Sequence, residues 1–414
     1  MLSAEIIAVG SELLTPERTD TNSLWLTEKL MDIGVEVKLK TIVGDDEARL
    51  EETIRDALKR SDIVITTGGL GPTEDDVTRT VSARAAGREV VYHEELEAHL
   101  RERFRLWGRE MPETNKRQAY VIEGAEILPN PNGSAVGMLL NDGGKFLVVL
   151  PGPPREMQPM FEDHVLGELK AVSGKISVVR RVLRVSGYGE SALDELISPI
   201  YKSYPSIQTS ILFNRSEIEV HLSSSAGTDS ESAAIIEELV GKLVGVLGPA
   251  MFAKNGETME EVVGKLLKDR NETLSVAESC TGGLIAMRLT DVSGSSSYLM
   301  EGVVAYSNDA KKRTLDVPDE TLASHGAVSS QTAEAMADGM RRRAGTDYAI
   351  SVTGIAGPDG GTDEKPVGTV YIGYADADGT RFLHMTIPGD RYLIRWRSSQ
   401  AALDYLRRRI LKKQ

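Results

Sequence analysis

Three side chains able to act as nucleophiles or caps stand in a row at Ser279-Cys280-Thr281, between Ala277-Glu278 and the pair Gly282-Gly283. The apolar run 273–277 before them reads as a strand. Leu284-Ile285-Ala286-Met287-Arg288-Leu289 after them has helical spacing. A hydroxyl or thiol at a strand-to-helix turn sits beside unpaired backbone N–H groups and the positive end of the helix dipole. Those donors stabilise an oxyanion, so the turn suits a nucleophile that attacks a carbonyl. Downstream, Tyr306-Ser307-Asn308-Asp309-Ala310-Lys311 offers a phenol and an amine that could serve as base. The structural alternative is a capping turn, with Ser279 or Thr281 as N-cap and the glycines allowing close packing. Cys280 is a rival nucleophile, because a helix start lowers a thiol pKa, although a lone buried cysteine is usually inert packing. Lys311 precedes Lys312 and Arg313 and also reads as a solvated surface lysine. His325, in Ser324-His325-Gly326, reads as a structural loop residue rather than a triad member.

A second chemical centre is Gly68-Gly69-Leu70-Gly71-Pro72-Thr73-Glu74-Asp75-Asp76-Val77-Thr78. Its glycines let backbone approach a phosphate, and Thr73 is placed to cap the next helix and donate to an oxygen. Asp75 and Asp76 are hard oxygen ligands suited to a divalent cation that bridges to phosphate. An acidic helix start that complements the dipole is the plainer alternative. Other polar loops accompany it: Ser11-Glu12, Thr19-Asp20-Thr21-Asn22, Asp45-Asp46, Asn132-Gly133-Ser134 and Pro151-Gly152-Pro153-Pro154. The rigid Pro-Gly turn is assigned binding only. Near the C-terminus, the loop from Thr353-Gly354 through Gly357 to Gly361 offers main-chain N–H groups to a phosphate or ribose. Arg391 and Arg395 lie one helical turn apart, within reach of the same group or of solvent.

The elements that must position these residues follow from hydropathy. Residues 4–165 alternate short apolar strands with amphipathic helices, which predicts a parallel sheet covered on both faces, with ligands at the carboxyl ends of its strands. Residues from about 170 to 250 read as strand, helix, hairpin, helix, a small α+β module of KH-like order. The sequence Ser186-Gly187-Tyr188-Gly189-Glu190 supplies no GxxG loop for nucleic acid, so the module reads as a spacer or dimerisation element. A third α/β unit follows. Expected boundaries are 1–168, 169–252 and 253–414.

Composition sets outer limits. With 41% hydrophobic and 27% charged residues the chain is globular, and its formal net charge of −14 argues against broad binding to nucleic acid or anionic membrane. A single cysteine excludes an intrachain disulfide and a thiolate zinc site. The first residues lack a basic region and a signal-type apolar core, and no run approaches a membrane span. A cytoplasmic protein is expected.

Residues 4–165, with Gly68-Gly69-Leu70-Gly71-Pro72-Thr73 and Leu150-Pro151-Gly152-Pro153-Pro154, resemble the MoaB/MogA-like molybdopterin-binding fold. With the KH-like spacer and Glu278-Ser279-Cys280-Thr281-Gly282-Gly283, the whole chain resembles the CinA family of competence/damage-inducible proteins. The resemblance implies an α/β architecture: an N-terminal parallel-sheet three-layer domain, a small α+β KH-like domain and a C-terminal α/β amidohydrolase domain. It implies two activities. One is deamidation of nicotinamide mononucleotide without a cofactor, by nucleophile Ser279, with Tyr306 and base Lys311. Glu278, Cys280, Thr281, Gly282, Gly283, Thr353, Gly354, Gly357, Arg391 and Arg395 are expected around that substrate. The other is metal-dependent ADP-ribose pyrophosphatase activity. For it Ser11, Glu12, Gly68, Gly69, Gly71, Thr73, Ser134, Gly152 and Pro153 are expected on the substrate, with Asp75 and Asp76 on a divalent cation. A molybdopterin-binding or adenylating N-terminal domain is one rival, and a non-enzymatic adaptor in DNA uptake or damage is another. A homodimer is expected, because the spacer exposes sheet edges.

Overall fold

Two stretches in which every residue is buried, Ile63–Thr67 and Leu274–Glu278, mark the centres of two separate sheets. A strand apolar on both faces needs cover on both, and helices supply it. The computed structural model describes residues 2–173, 178–224 and 227–412. The chain divides into two units, Met1–Val179 with Ser225–Ser232, and Arg180–Ser224 with Ala233–Gln414.

The first unit contains strands β1 (Ser3–Val9), β2 (Glu36–Val43), β3 (Ile63–Thr67) and β4 (Val90–Tyr92). Strands β5 (Tyr120–Ile122), β6 (Glu126–Leu128), β7 (Gly137–Asp142) and β8 (Lys145–Leu150) follow. Its helices are α1 (Asn22–Asp32), α2 (Glu47–Arg60), α3 (Thr78–Ala85), α4 (Glu94–Leu106), α5 (Pro154–Met160) and α6 (Leu166–Ser173). The main sheet has the order β2-β1-β3-β8-β7-β6. Alternation along the strands builds a core on each face. Ile6 and Ile65 pack with Leu26, Leu30 and Phe161 on one side, whereas Ile7 and Val64 pack with Leu50, Ile54 and Val81 on the other.

The expectation of an all-parallel sheet is corrected at one edge. Strands β1, β2, β3 and β8 are parallel, but β7 pairs antiparallel with both β8 and β6. The cause is the turn Gly143-Gly144, where both φ values are positive (60° and 91°), as a two-residue hairpin turn requires. The parallel strands end together: the Gly68 N–H donates to Leu150 O at 3.0 Å, and the Gly10 N–H to Val43 O at 3.0 Å.

The second unit begins with the KH-like module: β9 (Val179–Ser186), α7 (Glu190–Tyr201), β10 (Gln208–Asn214), β11 (Glu217–Ser224), α8 (Asp229–Leu247) and β12 (Met251–Ala253). Its sheet order is β10-β11-β9-β12. The boundary expected after residue 252 therefore falls inside the strand that completes this sheet. Next come α9 (Met259–Arg270), β13 (Leu274–Glu278), α10 (Leu284–Thr290), β14 (Leu299–Val304), α11 (Asn308–Leu315) and α12 (Asp319–His325). The chain closes with α13 (Ser330–Ala344), β15 (Tyr348–Gly354), β16 (Thr369–Asp376), β17 (Gly379–Thr386) and α14 (Arg391–Leu411). The sheet order here is β14-β13-β15-β16-β17, with the first three strands parallel and the last two antiparallel.

A buried polar chain joins the two sheets within this unit. The Gln400 amide donates to Glu217 at 2.8 Å and accepts from Arg288 at 2.5 Å, and Arg288 also donates to Ser399 and Glu260. Each of these residues has at least one partner, but Arg288 Nε has none among the described residues and burial still pushes the Glu217 carboxyl up. His325, expected in a loop, is the last residue of α12, with Gly326 as its C-cap. No helix among the described residues is long and apolar enough to cross a membrane.

Candidate active site

The turn after β13 is held open by a carboxylate. Glu278 is buried, and its two oxygens accept the amides of Gly283 (3.0 Å), Ile285 (3.1 Å) and Ala286 (2.9 Å). These are the unpaired N–H groups of the start of α10. Gly283 is the N-cap, so neither Ser279 nor Thr281 caps this helix. Gly282 and Gly283 both have positive φ (61° and 91°), which is why glycine is needed twice in succession. Glu278, expected beside the substrate, instead shapes the backbone that presents Ser279. Glu278→Gln should lower the thermal midpoint and slow any reaction at Ser279, because the new NH2 group faces amides that also donate. The loss is on the order of 2 kcal/mol for hydrogen bonds to a charged acceptor. An unchanged melting curve would remove Glu278 from this role.

Removing those amides from play leaves others. The Ser279 N–H donates to Val352 O at 2.9 Å, which fixes the turn to β15. Among the described residues no acceptor elsewhere takes the N–H of Cys280 or Thr281. Those two amides are the ones the turn leaves as candidates for stabilising a developing oxyanion.

Lys311 comes to Ser279 from α11, whose start is capped by the Ser307 side chain accepting from the Ala310 N–H. Its side chain is 1% exposed, so the solvated-lysine alternative is overturned. The Nζ lies 3.1 Å from Ser279 Oγ and donates to the carbonyls of Ala305 (3.0 Å) and Tyr306 (3.2 Å). No carboxylate is among these partners. Burial pushes the Lys311 ammonium below the ordinary lysine value. A neutral amine has two N–H groups, which two carbonyls satisfy, and one lone pair, which then faces the Ser279 hydroxyl. The geometry fits a general base.

Tyr306 acts on this pair through its main chain. Tyr306 is 58% exposed, and its phenol oxygen accepts from Arg391 Nη2 at 3.1 Å while its main-chain carbonyl accepts from Lys311. Arg391 also donates to Gly357 O at 2.7 Å, and Arg395 donates to Thr281 O at 2.7 Å. Arg395 thus borders the turn, whereas Arg391 bridges the loop after β15 and the Tyr306 phenol. Gly354 and Gly357 lie in the loop after β15. Thr353 has its side chain turned inward, the hydroxyl donating to Ala327 O at 2.7 Å. The Thr281 hydroxyl is buried without a hydrogen-bond partner among the described residues. Cys280 is buried, and burial pushes its thiol up to about 12, the reverse of the lowering expected at a helix start.

The first unit carries a separate cavity of about 770 Å³ at the carboxyl ends of β1, β3 and β8. Glu12, Gly68, Gly69, Gly71, Thr73 and Ser134 line it, with Gly152, Pro153, Asp75 and Asp76. Gly68 is indispensable: its φ is +109°, and a Cβ there would lie 2.1 Å from Val9 O. Ser11 is not among the lining residues; its hydroxyl accepts from the Asp45 N–H and its own N–H donates to Asp45. Thr73 does not cap α3, which starts after Val77.

Asp76 accepts from the amides of Gly71 (2.8 Å) and Thr73 (2.9 Å) and from the Thr73 hydroxyl (2.6 Å). Its oxygens hold the loop rather than face a cation. Asp20, Asp45 and Glu156 are similarly engaged, by Ser23, Ser11 and Asn130. Among the described residues no group of three or more His, Cys, Asp or Glu side chains is placed to hold a metal ion. The residues at Asp75 and Asp76 therefore do not form a ready-made cation site. Asn22, at the end of the polar loop 19–22, donates to Thr67 Oγ1 (2.9 Å) and Gly152 O (2.7 Å) and keeps an Oδ1 unpartnered among the described residues.

Comparison with known proteins agrees with this layout. Family models match as "Probable molybdopterin binding domain" over residues 5–171, "Damage-inducible protein CinA KH domain" over 180–253 and "CinA C-terminal domain" over 256–410. A CinA-like protein of Solibacter usitatus is 50% identical over 412 residues, covering 100% of this chain and 99% of its own. A CinA-like protein of Koribacter versatilis is 47% identical, covering 99% of this chain and 100% of its own. The crystal structure of the competence/damage inducible protein CihA from Agrobacterium tumefaciens matches at 42% identity. It covers 38% of this chain and 96% of its own, with a TM-score of 0.36. With a molybdopterin-biosynthesis-type α/β unit, a KH-like module and a C-terminal α/β unit in that order, and relatives alike from end to end, the chain belongs to the CinA family.

Proposed function

We propose that the C-terminal site hydrolyses the carboxamide of nicotinamide mononucleotide to the carboxylate and ammonia. The observation that carries this is the buried Lys311 Nζ, 3.1 Å from Ser279 Oγ, with only carbonyls as its other partners. Neutral Lys311 takes the hydroxyl proton as Ser279 Oγ attacks the carboxamide carbon. The oxyanion lies toward the Cys280 and Thr281 amides. Lys311 returns the proton to the nitrogen, the C–N bond breaks and ammonia leaves. Water then attacks the acyl-enzyme, giving up its proton through Lys311 and releasing Ser279. Arg391 and Arg395 supply positive charge beside the turn for the substrate phosphate. No metal or organic cofactor enters this sequence. Ammonia release from nicotinamide mononucleotide by the full chain tests the proposal, and a purified protein that releases none defeats it.

A second reading concerns the N-terminal cavity, where the glycines of one loop let a ligand approach the backbone closely and the unpartnered Asn22 Oδ1 is left to accept from a hydroxyl, a combination that favours a sugar-bearing nucleotide. We infer that it cleaves ADP-ribose to AMP and ribose 5-phosphate. A divalent cation would have to enter with the pyrophosphate, where it would neutralise phosphate charge. Gly68→Ala should abolish AMP release while leaving ammonia release intact, because the clash is with the backbone of β1. Equal AMP release from both proteins, or none from wild type under any divalent cation, would reject this assignment. Binding of molybdopterin without cleavage would point to the fold's other use.

A further inference from the structure

Apart from the Ser279 turn, the second unit holds a cavity of about 530 Å³ between the KH-like module and the last sheet. Its walls are largely apolar, with Phe213 from the hairpin, Met385 and Ile387 from and after β17, and Ala401 and Tyr405 from α14. That size and lining match a small-molecule site rather than a packing defect. Phe213 is half exposed at this cavity, so part of its ring is left to solvent.

The charges are unequal. Asp404 is the one acidic residue of the lining, and it is already shared by Arg407, Arg408 and the Ser186 hydroxyl. Arg397 also lines the cavity. It donates to the carbonyls of Arg215 (3.3 Å) and Pro388 (2.7 Å) and has no carboxylate partner among the described residues. Two guanidinium groups, Arg397 and Arg408, therefore line the cavity against one carboxylate that Arg408 and Arg407 already share, in a chain whose net charge is −14. An apolar chamber with uncompensated positive charge selects an anion with an apolar body.

We propose that this cavity is a binding site for a small organic anion with an aromatic or aliphatic body, with Arg397 receiving the charge. Its helix also presents Arg395 to the Ser279 turn, so an occupant that shifts α14 is felt there. That consequence rests on the amidase reading above, whereas the binding itself does not.

The test uses the full chain and two fluorescent probes, 8-anilinonaphthalene-1-sulfonate and its neutral analogue N-phenyl-1-naphthylamine, well below the melting temperature. The sulfonate should bind one saturable site. Arg397→Gln should weaken it by about tenfold and leave the neutral probe unaffected, the scale of one charge-assisted hydrogen bond. Ala401→Trp, which fills the chamber, should weaken both probes. Sulfonate binding unchanged in both variants, or Arg397→Gln weakening both probes alike, overturns the site. At saturating sulfonate the KM for nicotinamide mononucleotide should change by about twofold or more. An unchanged KM with site-specific binding overturns the link to the turn. Absence of amidase activity without probe defeats the amidase reading and leaves the binding result standing.

Discussion

Ser279→Ala should lower ammonia release from nicotinamide mononucleotide by roughly a thousandfold or more, the scale for loss of a nucleophile that acts as a unit with its base. Cys280→Ala should change it by less than about tenfold, since it removes packing and not the attacking atom. The two side chains are neighbours in sequence but not in chemistry. Ser279 Oγ is 3.1 Å from the Lys311 amine, whereas burial and the nearby Glu278 hold the Cys280 thiol protonated, pushed up to about 12. A thiol in that state has almost no thiolate at neutral pH. The full chain, steady-state ammonia assay and a thermal melt for each variant suffice. Retained activity in Ser279→Ala together with loss in Cys280→Ala would transfer the nucleophile to the thiol.

Much of the scaffold was legible because period and burial agree. Ile63–Thr67 is an unbroken apolar run and is the central strand of its sheet, and the helical spacing after Gly283 is α10. The antiparallel edge made by β7 was harder to read, because its strand signal is interrupted by the polar turn at Asn141-Asp142-Gly143-Gly144. At the site, residue types singled out the turn but could not assign partners. Glu278 looked like a substrate ligand because carboxylates beside nucleophiles often are; only the three amides it accepts show that it caps α10. Asp75 and Asp76 looked like a cation pair, yet Asp76 is turned back onto its own loop. Local hydrogen bonds of this kind compete with ligand binding, and spacing alone does not reveal which one wins.

The base imposes the second large effect. Burial lowers the Lys311 pKa, so its neutral form becomes available at a lower pH than for a solvated lysine of ordinary value 10.5. The sign is then determined: kcat/KM rises with pH as Lys311 loses its proton, and the acid limb has its inflection below 10.5. Lys311→Met should cut kcat/KM by about a hundred- to ten-thousandfold, the range for removing a positioned base, and erase that limb. Lys311→Arg should be no better, because a guanidinium keeps its proton across the accessible range and cannot accept one from Ser279. If Lys311→Met keeps both the rate and the acid limb, the base lies elsewhere. If wild type shows its inflection at or above the solvated value, burial is not tuning the amine, and the short Lys311–Ser279 distance reflects packing alone.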